Sequence, residues 1–336
     1  MKKLVLIIAC ILIFKTVLFA QINVQVSFTK NTKGGYSFYA YNNSDVKEIL
    51  HLYFTEFDNL IASTKLPYYG DVKPGYNYLF DITIENKLLA HNFKYNIGAF
   101  YGCLKPNVDL NYPYLLPYKQ GDSVKVIKKN MVERIKYTDT KSDSDFCPIL
   151  YRETGNEFIR KDYSLDSNVM RSTFFLLNYG DTIYAARRGV VTSVLSAEKL
   201  ENSNDTFLAK ISSLSIYQND CSLATYMGIH NVLVENKQHI EAGDPIALAG
   251  NIVYKDKGKL SFSVSYYDEI LKHKFDSANA TGKIFFYSYI NPMFYTKEGG
   301  VNFLEDGKTY TAAYPEEIIT REMTKKERKR WLKKHS

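Results

Sequence analysis

The chain has 336 residues, a formal net charge of +7, and 28 Tyr and 20 Phe against a single Trp. Three lysines fall in the first twenty residues and Arg321–Lys334 alone carries +6, so the body between them is close to −2. No basic face mixed with base-stacking aromatics runs through that body, which excludes a nucleic-acid binder of the usual kind. The length exceeds one ordinary domain, and the aromatic-rich composition suits a mainly β chain.

Lys2 and Lys3 precede an apolar run from Leu4 to Phe19 that ends on Ala20. A short basic region, an apolar core and a small-residue exit predict a signal peptide over residues 1–20, cleaved after Ala20. The run is short and broken by Lys15, which argues against a permanent span. The expected protein is therefore exported, to the periplasm or outer envelope. Ile7-Ile8-Ala9-Cys10 is a poor lipoprotein box, because too little apolar sequence precedes Cys10. Cys103, Cys147 and Cys221 remain, enough for one disulfide and a spare thiol, and the sequence does not choose the pair.

Residues 21–105 read as short strands: Tyr36–Tyr41, Glu48–Phe57, Tyr76–Ile84 and Asn92–Phe100, broken by Asn42-Asn43-Ser44, Lys73-Pro74-Gly75 and Glu85-Asn86. This spacing predicts an immunoglobulin-like β-sandwich, with His51 and His91 as packing or surface residues. Residues 106–168 follow as linker and insertion. The prolines around Tyr112–Tyr118 disfavour regular structure, and 139–145 reads as a polar surface loop.

Residues 169–300 form the informative domain. The run from Gly180 to Val191 holds Thr182-Ile183-Tyr184-Ala185-Ala186 and closes on Gly189, a pattern that predicts a tight hairpin. Ile240–Gly250 repeats the glycine-bracketed pattern, and Ile216–Tyr226 lies between the two. Lys259-Leu260-Ser261-Phe262-Ser263-Val264 alternates, predicting one buried face and one that lines an opening. In the extension 301–336, Ile318–His335 reads as a helix, with Thr324 and Glu327 spaced as a capping box. That basic helix either docks on anionic lipid or a teichoic-like polymer, with Trp331 and Leu332 as anchors, or simply ends the chain in solvent.

In order and spacing, the blocks from Met170 to Tyr267 resemble the lysostaphin/LytM-type zinc metallopeptidases. That family carries H-x-x-x-D, G-T-P-V-x-A-A-x-x-G-x-V, H-x-D-G, Y-x-H, V-x-x-G-D-x-I-x-x-x-G and H-L-H-F-E motifs. The resemblance implies an antiparallel LytM-like β domain of the duplicated hybrid motif type. It also implies a zinc ion held by two histidines and a carboxylate, with water in the fourth position.

Carried over residue by residue, the zinc and catalytic positions fall on Met170, Phe174, Gln218, Gly228, Lys259 and Ser261. Phenylalanine and glycine donate nothing, a thioether suits soft metals, and a serine hydroxyl has no reason to ionise. The ammonium of Lys259 repels a dication. No metal is expected, and no cofactor. Candidate groove contacts are Tyr226, His230 and Asp220. A metal site recruited around His230, His239 and Asp220 has no ligand spacing to recommend it, and nothing marks Ser261 as an activated nucleophile.

These absences lead to an inactive homologue that binds or regulates in the cell envelope. Its partners would be peptidoglycan or an envelope protein such as a cell-wall hydrolase, since degenerate members of the family activate amidases or hold envelope machinery. Two alternatives stay open. One is an active zinc endopeptidase cleaving peptide crosslinks of peptidoglycan; the other is an envelope scaffold that binds through its N-terminal sandwich.

Overall fold

The computed structural model describes residues 23–130, 171–195, 212–250, 258–268 and 287–335. The expected signal peptide, the loop 139–145, Cys147 and Met170 lie outside these residues. The described chain is mainly β, with nearly all strand pairs antiparallel. It divides into two compact units, the first holding the described residues to Ser44 and Leu50–Phe100, the second Asp45–Ile49 and everything from Tyr101 onward. Among the described residues no helix is long and apolar enough to cross a membrane.

The first unit is built from β1 (Val24–Lys30), β2 (Tyr36–Asn42), β3 (Glu48–Asp58), β4 (Leu60–Ala62), β5 (Tyr68–Val72), β6 (Gly75–Ile84) and β7 (Asn92–Tyr101). The sequence-predicted strands fall on β2, β3, β6 and β7. Two sheets form, ordered β1-β2-β6-β4 and β5-β3-β7. Alternation drives them together: Phe38, Phe80 and Ile82 of the first sheet bury against Leu52, Phe54, Phe93 and Tyr95 of the second. Two-sheet packing is as far as the immunoglobulin-like expectation is carried by this topology. Both histidines pack as expected: His51 stacks on Tyr69 with centroids 4.2 Å apart, and His91 Nε2 meets the Tyr36 hydroxyl at 3.0 Å.

The second unit continues with β8 (Pro113–Leu115), β9 (Ser123–Asn130), β10 (Arg171–Leu177), β11 (Thr182–Tyr184), β12 (Gly189–Leu195), β13 (Ser212–Tyr217) and β14 (Ser222–Val232). It then runs through β15 (His239–Ile240), β16 (Pro245–Ala249), β17 (Gly258–Tyr267), β18 (Tyr287–Ile290), β19 (Met293–Thr296), β20 (Gly300–Phe303) and β21 (Thr309–Thr311). Two helices close it, α1 (Glu316–Ile319) and α2 (Lys325–His335). The main sheet runs β15-β12-β13-β14-β17-β10-β9-β21, with β18 paired to β17 and β16 bridging β11 and β14. Its core centres on Phe175, Tyr226, Phe262 and Phe294, with Tyr226 and Phe294 at 5.0 and 5.6 Å from Phe262.

Four expectations need correction. The stretch around Tyr112–Tyr118 is not a free linker: Tyr112, Tyr114, Leu116 and Tyr118 are buried, and β8 pairs in parallel with β19. The prolines at its ends leave room for a short strand whose aromatic side chains fill the core. The Gly180–Val191 block is not a tight hairpin either. β11 pairs with β16 and β12 with β13 and β15, so the two glycine-bracketed blocks zip to each other. Gly189 is required there by close approach, since a Cβ would collide with the Tyr217 carbonyl.

The alternating β17 segment shows no open face, because every residue from Gly258 to Ser265 is buried. As a central strand between β14 and β10, it has both faces covered. Finally, the C-terminal helix does not start at Ile318: α1 stops at Ile319 and α2 starts at Lys325. Thr324 restarts it through the expected capping box. Its backbone N–H donates to Glu327 Oε2 at 2.7 Å, and its Oγ1 accepts from Glu327 N–H at 3.3 Å. Trp331 and Leu332 are half-buried, and Trp331 stacks on His335 at 4.3 Å.

Cys103 and Cys221 form a disulfide, Cα–Cα 5.7 Å. It ties the start of the second unit to the β13–β14 turn.

Candidate functional site

Three adjacent strands, β10, β17 and β14, carry four of the sequence-predicted positions, Phe174, Lys259, Ser261 and Gly228. Phe174 is the register partner of Ser261, and Ser261 in turn faces Met227 across β14. Lys259 pairs with Leu176 in the next row but one, so by strand alternation it shares a face with Ser261. Ser261 is 3 % exposed and Lys259 6 %. The residues here are a phenyl ring, a neutral buried hydroxyl, a thioether and an ammonium.

A zinc ion needs deprotonated or neutral nitrogen, sulfur or carboxylate donors in a tetrahedral set. Phe174 and Ser261 supply neither. The residues present do not fit zinc. Among the described residues no three His, Cys, Asp or Glu side chains converge on a common point.

Gly228 lies one residue past Met227. It adopts a left-handed backbone, φ +83°, and forms a bulge: Met227 pairs with Ser213 and Ile229 with Ser212. That conformation favours glycine, so an imidazole at this position would be strained. Beyond the bulge His230 is exposed, its ring 5.2 Å from Tyr179. Tyr226, before it, is fully buried, and its hydroxyl accepts the Ala186 N–H at 2.8 Å. Burial holds that hydroxyl well above the ordinary tyrosine pKa, and the bond fastens β14 to the Ala185-Ala186 turn. Tyr226 is a core residue here.

Gln218 and Asp220 do not join this group. They sit at the β13–β14 turn, where Ser222 begins the strand five residues before Met227, about 17 Å away at strand rise. At that end the fold builds a different constellation around Arg187, 2 % exposed. Its Nε and NH2 donate to both carboxylate oxygens of Glu322, at 2.9 and 2.6 Å. Its NH1 donates to Asp220 Oδ2 at 2.9 Å and to Gln218 Oε1 at 3.2 Å. The guanidinium carbon lies over Tyr112, 3.7 Å from the ring centroid. Ser222 Oγ bridges Gln218 Oε1 and Asp220 Oδ1, at 2.5 and 2.6 Å, and the Tyr114 hydroxyl donates to Gln218 Oε1 at 3.0 Å.

Burial pushes the Asp220 carboxyl up, but Arg187 and the Ser222 hydrogen bonds outweigh it and leave the pKa below its ordinary value. Burial pushes the Tyr114 hydroxyl up to about 12. Around this pair, Arg188 reaches the Glu322 carbonyl at 2.8 Å and Glu327 at 3.1 Å. The network therefore clips Glu322 and the start of α2 to the β13–β14 turn. Asp220 and Gln218 act there as structural partners. Cys221, at the glycine of the H-x-D-G pattern, has a left-handed backbone, φ +70°, a conformation that favours glycine.

Sequence reasoning missed Arg187, Tyr112, Tyr114 and Glu322 as one unit. The available signal was two acidic residues, Glu322 and Glu327, isolated in a strongly basic tail, together with Arg187-Arg188 set inside an apolar block.

No family model matches the sequence. No curated protein matches it either. Among solved structures, the catalytic domain of lysostaphin from Staphylococcus simulans is similar at 20 % identity and a TM-score of 0.23, over 30 % of this chain and 72 % of that one. A zinc-containing peptidase from Vibrio cholerae matches at 14 % identity and 0.26, over 72 % of this chain and 75 % of that chain. Helicobacter pylori Csd3 matches at 10 % identity and 0.23, over 93 % of this chain and 77 % of its own. Likeness at this level transfers neither activity nor substrate.

Proposed function

We propose that this chain is an exported, catalytically inactive homologue of the lysostaphin/LytM-type peptidases that serves the cell envelope as a binding or regulatory protein. One observation carries the reading. Counting along the motifs assigns Phe174 and Ser261 to two ligands of a single ion, and these two residues, far apart in sequence, are direct cross-strand partners. Two ligands of one ion have to lie close together, and the register of β10 with β17 meets that requirement and so supports the motif alignment. With the alignment supported, the chemistry of the residues supports inactivity, because neither side chain can ligate zinc.

Peptidoglycan, or an enzyme that remodels it, is the partner this reading calls for. The burial of Lys259 and Ser261 favours a contact surface elsewhere on the molecule than the old metal face. The test is zinc per protein by elemental mass spectrometry after zinc exposure and desalting, run beside a digest of cross-linked peptidoglycan. The expected result is under about 0.1 zinc per chain with no crosslink cleavage. Stoichiometric zinc with released crosslink peptides would replace this reading with the active endopeptidase.

A further inference from the structure

The outer face of sheet β1-β2-β6-β4 carries a feature that the packing of the first unit does not use. Tyr39 and Tyr78 are register partners, and so are Tyr41 and Tyr76. Their rings touch as pairs, with centroids 5.8 and 4.7 Å apart. The four tyrosines make a two-rung ladder, the rungs about 7 Å apart along the strands. Tyr76 is 85 % exposed, Tyr78 58 % and Tyr41 38 %. Edge contacts between rings steady a sheet, but they do not require ring faces this open to water.

The ladder is also held still. The Asn77 side chain closes the turn that leads into β6, donating to the carbonyls of Lys73 and Gly75 at 2.8 and 2.9 Å and accepting the Lys73 N–H at 3.0 Å. At the same end, buried Asn42 donates to the Val72 carbonyl at 3.1 Å and fixes the end of β2 just after Tyr41. Asp81 accepts from Ser37 Oγ at 2.6 Å and also interacts with the Tyr78 hydroxyl. Exposed rings pinned by their backbone and neighbours lose little freedom when a ligand settles on them.

Charge decides what that ligand is. By strand alternation, the outward positions of these four strands include Asp81 and no Lys or Arg. A phosphate backbone or an anionic lipid surface would meet a carboxylate and find no cation at these outward positions, since Lys30, the one basic residue on the four strands, ends β1 on the opposite alternation, away from the tyrosine rungs. A wholly apolar partner would strand the tyrosine hydroxyls and the exposed Gln25 and Ser27 beside them. An uncharged sugar chain satisfies both demands. Its C–H faces lie on electron-rich rings, and its hydroxyls reach the polar groups at the margin.

We propose that this face is a glycan-binding platform taking an uncharged, linear oligosaccharide whose equatorial linkages let successive rings lie flat. The inference rests on the first unit alone and stands whether or not the second unit is an inactive peptidase.

The experiment is titration calorimetry of the full chain with chitotetraose, with cellotetraose in parallel. Binding to at least one is expected, weakened about tenfold or more by Tyr76→Ala with Tyr78→Ala, given the usual worth of stacking on an aromatic ring. The Tyr76→Phe with Tyr78→Phe variant, which keeps the rings, should stay within about threefold of the parent. Ile61→Ala, exposed on the same sheet face outside the ladder, should leave affinity unchanged. Absence of binding to both saccharides overturns the proposal, as does binding that survives the double alanine variant in a chain with unchanged circular dichroism. Retention on phosphatidylglycerol vesicles that the same double variant abolishes, without saccharide binding, would replace the glycan with a lipid surface.

Discussion

The two ends of β14 met the same demand in opposite ways. Both hold positions where the motifs call for polar, chemically active residues. At the Met227–Gly228 end the row across the sheet is Phe174, Ser261 and Met227, small or apolar groups that a β-sheet packs without charge. At the Ser222 end the row is replaced by a buried ionic network, with Arg187 paired to Asp220 and Glu322 and laid on Tyr112. One end thus dispenses with charge, and the other uses it to fasten a distant segment of chain. A carboxylate at a motif position, such as Asp220, is therefore no sign of catalysis by itself. Its partners, more than its identity, define its role.

The comparison breaks most directly at Arg187. Arg187→Ala would leave the half-buried Asp220 and Glu322 without their counter-charge. Removing one partner of a fully buried pair costs about 3–5 kcal/mol, and the partial exposure of these carboxylates puts the loss at the lower end, about 3 kcal/mol. Denaturant unfolding should show a loss of that order, while Ser261→Ala at the other end should cost about 1 kcal/mol or less. Equal effects at the two ends would end the contrast. Acid sharpens it further. Because the folded Asp220 carboxyl titrates below its ordinary value of 3.8, its contribution is complete above that pH and is lost as pH falls through the lower folded value. Asp220→Asn should flatten this acid limb of the stability curve, whereas Ser261→Ala should leave its shape alone. An unchanged limb in Asp220→Asn would mean that Arg187 does not depress this carboxyl.

What was legible in the sequence follows the same division. Strands that rest on local alternation and turn residues, such as β2, β3, β6 and β7, could be read directly, because a two-residue period and a glycine or asparagine break act over a few residues. The Thr324–Glu327 capping box is equally local. The pairing of β11 with β16 could not be read: it depends on which of two similar glycine-bracketed blocks meets which, a matter of sheet closure. The burial of Lys259, Ser261, Ser263 and Ser265 was hidden for the same reason, since alternation says which residues share a face but not whether something covers it. The Arg187 network joins Tyr112, Gln218, Asp220 and Glu322, residues from three separate parts of the chain. The pairing of Phe174 with Ser261 was hidden too, since it rests on the register of β10 with β17, which local periodicity does not set.

The smallest effect tests whether the charged end reaches as far as α2. That helix begins with Lys325 and Lys326, the wrong sign for a helix N-terminus, and it stacks like charges four apart at Lys325, Lys329 and Lys333. None of its residues is buried, so packing contributes little. What holds its first turn is the Thr324–Glu327 box, with Glu327 also meeting Arg188 at 3.1 Å. Thr324→Ala removes one cap, typically worth about 1 kcal/mol. Amide exchange across 325–335 should then speed up about fivefold, while the strands around Arg187 keep their protection. If exchange in the helix does not change, the Arg188 contact alone holds α2, and the charged lock extends further along the tail than the cap. If the strands lose protection with it, the helix and the β13–β14 turn unfold as one unit, and the tail is part of the ionic network's own cooperative structure.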